Sequence, residues 1–302
     1  MRLSQKDSLT FLRAINEMAV MEELKFSNFI CFKTALIPMN TLVIIFSSIL
    51  FLAGCTENND SMKKIIFLHH STGYTVWLGK TNSYIYKLTG KGDVQRYVER
   101  YNRKNKTSFH VSERFFPKKE PYGWNNYPYD YFNIWVKNAG NNPFMEESTM
   151  EMLTADYDII VFKHCFPVSN IQEDTGVPDI GSSVKSLENY KLQYGALKEK
   201  MHEFPLNKFI VWTPAVNTNK LMSEDQAVRT REFRDWIVDE WDEKNDNIFI
   251  WDFYSFETEG GLYLAEKNAV SPDNSHPNVQ FAARMAPLFG QFIIDVAESK
   301  IE

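Results

Sequence analysis

The chain has 302 residues, 44% of them hydrophobic and 24% charged, with a formal net charge of −6. Those proportions exclude a disordered chain and leave room for one large domain or two small ones. Acidic and basic residues are interspersed, so there is no basic footprint for nucleic acid and no nucleic-acid partner is expected.

The first 62 residues differ from the rest. No charge occurs from Thr34 to Cys55, and "LVIIFSSILFLAGC" is an apolar run closing on small residues, with Lys25 and Lys33 ahead of it. Positive flank, apolar core and small residues, in that order, are the pattern of a secretory signal. Its end, Leu52 to Cys55, resembles the bacterial lipobox, in which the cysteine is acylated and becomes the mature N-terminus. This reading gives a cleaved signal over 1–54, a lipidated Cys55, a polar tether over 55–62 and a cell-envelope location. An uncleaved anchor is the alternative, since about 20 apolar residues span a bilayer. The long tail before Lys25 leaves Met21 and Met39 as alternative starts. With Cys55 lipidated, Cys165 has no partner for an intramolecular disulfide, so the fold rests on its core.

Beyond the tether, strand-like and helix-like segments alternate. "KIIFL" (64–68) is short, β-branched and continuous, as in a strand buried on both faces. "DVQRYVERYNRK" (93–104) sets Val94, Tyr97, Val98 and Tyr101 at helical spacing. "SFHVSERFF" (108–116) is the next strand, and "YDIIVFK" (157–163) is the clearest buried one. The segment 116–148 fits neither period and is too long for a plain connector. Residues 186–204 read as an amphipathic helix. "KFIVWTP" (208–214) is a strand stopped by Pro214, and 223–244 is a helix with Ser223 as N-cap. "NIFIWDF" (247–253) is the fifth strand, and 278–298 closes the chain as a helix with Pro287 a kink. Five such strands between helices predict one α/β domain with a mostly parallel sheet and helices on both faces.

In open parallel sheets ligands bind beyond the carboxyl ends of the strands, which directs attention to the residues after each strand. The first is followed by His69, His70, Ser71, Thr72 and Gly73, and the third by His164, Cys165 and Phe166. "SPDNSHPN" (271–278) precedes the last helix. A serine hydroxyl needs a base, and the base needs an orienting carboxylate. Asp273 and His276, three apart in a Pro-bounded turn, are read as that carboxylate and base, with Ser71 as nucleophile. The adjacent histidines point to opposite faces of an extended backbone, so no metal site is expected. His70 is read as lining the pocket and His69 as a buried core residue. Cys165 is read as a buried thiol rather than a nucleophile. Tyr122, Trp124, Tyr127, Tyr129 and Trp135 form either a stacking platform for sugar rings or packing for the long loop.

A first strand leading into Ser71 and Gly73, with Asp-x-x-His-Pro near the C-terminus, resembles the SGNH/GDSL hydrolase family over 63–302. The resemblance implies a flavodoxin-like α/β/α sandwich and an ester hydrolase acting through an acyl-enzyme, without a cofactor. It departs from the family where Gly-Asp-Ser is expected, since the chain has His69-His70-Ser71. It departs again where Gly-x-Asn-Asp is expected, since "KHCFPVSNI" follows the third strand. The oxyanion donors implied are therefore Asn170 or His164 from that loop and Gly123 or Gly140 from the second block. His70, Trp124 and Tyr127 are the substrate-binding candidates. The expected substrate is a small ester or a glycan ester such as an O-acetyl group, with membrane contact through Cys55. An acyltransferase using the same triad, and a glycan-binding lipoprotein without catalysis, are the alternatives.

Overall fold

In the computed structural model, which describes residues 62–123 and 126–301, the first element among the described residues is a strand of seven residues, Lys63–His69 (β1). It is followed by the helices Ser71–Leu78 (α1), Ser83–Thr89 (α2) and Asp93–Asn105 (α3), then by the strand Phe109–Phe115 (β2). Within 116–148 the chain forms a short helix, Pro128–Phe132 (α4), which runs on as a wider π-turn over Asn133–Lys137. Met150–Asp156 (α5), capped by the Thr149 hydroxyl, leads into Ile159–Phe162 (β3). Leu187–His202 (α6), Lys208–Trp212 (β4), Glu224–Trp236 (α7) and Ile248–Trp251 (β5) follow. The chain closes with Phe253–Thr258 (α8), a hairpin of Ala269–Ser271 (β6) and Asn274–Pro277 (β7), and Val279–Ala297 (α9).

The five strands β1 to β5 form one all-parallel sheet in the order β2-β1-β3-β4-β5, the flavodoxin-like order. Burial explains why the strand runs are continuous rather than alternating. Ile65 and Phe67 pack beneath α1, α3 and α9, while Ile66 and Leu68 pack beneath α4 to α7. All four residues of β3 are at most 1% exposed, and each such aliphatic side chain contributes about 1.5–3 kcal/mol by leaving water. The helix ends carry their expected caps: Ser186, Ser223 and Asn278 each accept from the backbone N–H three residues on. Helix α9 is continuous through Pro287, where the sequence suggests a kink.

The β6–β7 hairpin is antiparallel and separate from the main sheet. It is fastened to the loop after β4, where Thr218 N–H donates to Ser275 Oγ at 3.0 Å and the Thr218 hydroxyl to the Pro272 carbonyl at 2.6 Å. No helix among the described residues is long and apolar enough to cross a membrane. The expected signal, Cys55 and most of the tether lie outside those residues.

Candidate active site

Ser71 is the first residue of α1, two positions past the carboxyl end of the interior strand β1. At a helix start the first backbone N–H groups have no intrahelical partner, so Ser71, Thr72 and Gly73 present donors toward the sheet edge. Gly73 is needed there. A Cβ in its place would sit 2.5 Å from the Cβ of His69 and 2.8 Å from the Cδ of Lys163. Only a bare backbone lets α1 descend so close to the ends of β1 and β3.

The Ser71 hydroxyl contacts the Cys165 sulfur at 3.8 Å. The next residue, Phe166, meets the His276 ring edge-on with centroids 5.0 Å apart, and α1 packs against β7, the strand that carries His276. The post-strand loops of β1 and β3 and the hairpin thus converge. Ser71 and His276 are not hydrogen-bonded to each other in this structure; the serine's contact is the sulfur.

His276 is oriented, but not by the expected group. Its Nδ1 lies 2.6 Å from Asn274 Oδ1, and the same oxygen accepts the His276 backbone N–H at 3.1 Å. An atom that accepts from a backbone N–H is the amide oxygen, so Nδ1 carries the proton and Nε2 keeps the lone pair of a base. Asp273 is turned away. Its carboxylate is 63% exposed and pairs with Lys220 at 2.6 Å. The reason is periodicity: the hairpin pairs Ser271 with Asn274, so Asp273 occupies the turn, and in the extended strand beyond it positions two apart share a face while positions three apart do not. Burial, and then the charge of Lys163, lower the His276 pKa below its ordinary 6.5, which keeps the ring neutral at pH 7.

His164 is corrected by the same alternation. On leaving β3, Phe162 and His164 face one side of the sheet while Lys163 and Cys165 face the other. His164 is fully buried against Tyr131, Phe162 and Tyr194, neither ring nitrogen has a hydrogen-bond partner, and burial pushes its pKa down to about 3. It points away from Ser71 and is no oxyanion donor. Asn170 lies at the end of the 3-10 turn Phe166–Ser169. Its Oδ1 accepts from Asn217 Nδ2 at 3.0 Å, which leaves its NH₂ as the group to be offered. Gly123 and Gly140 have φ of 103° and 134° with open space around the missing Cβ; a turn of that sign accounts for both glycines.

The other binding candidates are mostly structural. His70 is 5% exposed, and its Nε2 lies 2.6 Å from the Pro117 carbonyl, to which it donates. Burial lowers its pKa to about 4. The ring clamps the 116–123 loop to α1 rather than facing a ligand. Tyr127 is 4% exposed and donates to the Ser183 carbonyl at 3.0 Å, and Trp135 is fully buried. Tyr122 is half-buried and donates to Asp130. These aromatics pack the long loop onto the core, so the sugar platform is not formed by them; Trp124 lies outside the described residues. His69, as expected, is a buried residue, with Nε2 3.0 Å from Glu113.

Several site residues escape the sequence reading. Asn274 sits between the two residues that were singled out, and a period of two along "NSHP" would have indicated it. Asn217 lies in the loop after β4, the one post-strand loop left unread. Asn126 joins the Phe116 carbonyl, the Tyr131 hydroxyl and the Cys165 N–H, the last at 2.6 Å; no local signal marks it.

No protein-family model matches the chain, and no curated protein matches it. Among solved structures it is similar to the lipase Lip_vut3 from a goat rumen metagenome, at 16% identity and a TM-score of 0.46, over 76% of this chain and 96% of that one. It is also similar to a carbohydrate esterase whose active site is described as having divergent catalytic and non-catalytic binding functions, at 10% identity and a TM-score of 0.32. That match covers 77% of this chain and 65% of the esterase, so the chain spans somewhat under two thirds of that neighbour's length.

Proposed function

We propose that the chain is a serine ester hydrolase of SGNH type in which Asn274 replaces aspartate as the residue orienting the base. The observation that carries this reading is the hydrogen bonding of His276: its Nδ1 and backbone N–H both meet Asn274 Oδ1, an arrangement that fits a proton on Nδ1 and a basic Nε2, on a strand packed against the helix that begins at Ser71. In the reaction the Ser71 hydroxyl leaves the Cys165 sulfur and turns to His276. Its oxygen attacks the ester carbonyl as Nε2 takes the proton, and the alcohol departs with that proton, leaving an acyl-serine. Water, deprotonated by the same nitrogen, then releases the acid. The Ser71 backbone N–H and the Asn170 amide supply the donors for the tetrahedral oxyanion.

The proposed substrate is a small ester on a glycan, such as an O-acetyl group, reached from a Cys55 lipid anchor in the cell envelope. Burial of Tyr127 and Trp135 removes the aromatic-platform support, so the glycan reading now rests on the signal-like N-terminus. The deciding experiment uses a fluorophosphonate probe and a small acetyl ester. Wild type is labelled and turns over, whereas Ser71→Ala folds, is not labelled and loses roughly 10⁴-fold or more in rate. Labelling of Ser71→Ala, or substantial retained turnover, overturns the assignment. A wild type that is neither labelled nor active leaves the glycan-binding reading. Acyl transfer to an added sugar in place of water identifies the acyltransferase. Mass spectrometry of the mature N-terminus tests acylation at Cys55.

A further inference from the structure

Directly beneath the nucleophile is a pair of side chains that the proposed reaction does not use. Lys163 is 1% exposed, and a buried amine is ordinarily paired with a carboxylate. Here, among the described residues, its Nζ has one hydrogen-bond partner, the Cys165 sulfur at 3.4 Å. The Trp212 ring lies 5.9 Å from the same nitrogen. Glu257, also buried, spends one oxygen on the Val216 N–H and makes no ion pair with Lys163. The sulfur in turn touches the hydroxyl of Ser71, which is itself partly exposed, so a small oxidant reaching Ser71 also meets the sulfur. A thiol and an amine are therefore held in contact, both buried, with the thiol against the Ser71 hydroxyl.

We propose that Lys163 and Cys165 are an oxidative modification site, at which a peroxide joins them reversibly through a sulfur–nitrogen bond. The sulfur attacks a peroxide oxygen, the O–O bond breaks, and the products are a Cys165 sulfenic acid and water; sulfur loses two electrons and the peroxide gains them. The Lys163 nitrogen lone pair then attacks the sulfur. The S–O bond breaks, the S–N bond forms, and hydroxide leaves with an amine proton as a second water. Burial lowers the Lys163 pKa, which favours the neutral amine that this step needs. A thiol reductant reverses the link by attacking sulfur and releasing the amine, and a second thiol equivalent restores Cys165. Capture by the amine also protects the cysteine from irreversible sulfinic and sulfonic acids. Because Gly73 packs against the Lys163 side chain, drawing Lys163 and Cys165 into bonding distance disturbs the start of α1, and the modified protein is expected to be inactive.

The test is hydrogen peroxide on the folded full chain followed by tryptic mass spectrometry. The expected product lacks two hydrogens and is not cut after Lys163, since the lysine is blocked, and dithiothreitol restores both the mass and the cleavage. Lys163→Met should instead carry Cys165 to sulfinic acid that dithiothreitol does not reverse, and Cys165→Ser should give no product. Wild-type Cys165 that stays a free thiol, or that proceeds to sulfinic acid with Lys163 still cleaved, overturns the proposal. Loss and recovery of esterase rate in parallel is expected on the proposed function; the mass readout is independent of it, so the two readings fail separately.

Discussion

Asn274 and Asp273 are neighbours with opposite assignments, and their substitution separates the roles. Asn274→Ala leaves the His276 Nδ1 proton without its acceptor, and a misoriented base is expected to lower kcat by about 10²-fold. Asp273→Ala removes an exposed ion pair to Lys220, and exposed pairs contribute about 0–1 kcal/mol, so the ester rate should be nearly unchanged. A crippled Asp273→Ala beside a normal Asn274→Ala in steady-state kinetics would restore the aspartate as the orienting residue. Asn170→Ala should lower kcat about 100-fold with little change in KM, as for the loss of one oxyanion donor; equal rates for variant and wild type would remove the amide from the oxyanion site.

The approach of α1 to the sheet is where an element's position depends on one missing atom. Gly73→Ala puts a Cβ 2.5 Å from the His69 Cβ, which belongs to a buried strand and cannot swing away. Overpacking of this kind costs about 1–3 kcal/mol, read as a lower denaturant midpoint; because the helix must lift, the ester rate should fall as well. An unchanged midpoint would show that α1 has slack. The five central strands were legible because residues buried on both faces leave continuous apolar runs such as "KIIFL" and "YDIIVFK". Helix α1 was not. Its eight residues, "STGYTVWL", include two threonines, a valine and a glycine, none a strong helix former, and its formation depends on packing against α9. The hairpin escaped for a related reason. "AVS" and "NSHP" are too short to mark a strand by themselves, and without the strand the spacing of Asp273 from His276 does not show which face it occupies.

For the molecule as a whole, buried histidines make stability depend on acidity. His164 has a folded pKa near 3 against an ordinary 6.5, so between those values the unfolded chain binds a proton that the native state does not. Its contribution is complete above about pH 6.5 and is lost progressively as pH falls toward 3. His164→Leu also removes two unpartnered ring nitrogens from an aromatic cage, so the variant's stability relative to wild type should rise as pH falls from 7 to 4. Denaturant midpoints that run parallel over that range would count against this account. The attachment of the β6–β7 hairpin has a consequence for how the protein fails. The nucleophile stands at the start of α1, which is packed on the central sheet, whereas its base stands on a small two-stranded ribbon outside that sheet, held by α1 and by the Thr218 bonds. Local openings of such peripheral units cost less than global unfolding. Catalytic competence and foldedness are then two different transitions: during gradual denaturation the ester rate should disappear before the far-ultraviolet signal moves, and amide hydrogens of 274–276 should exchange ahead of those in β1 and β3.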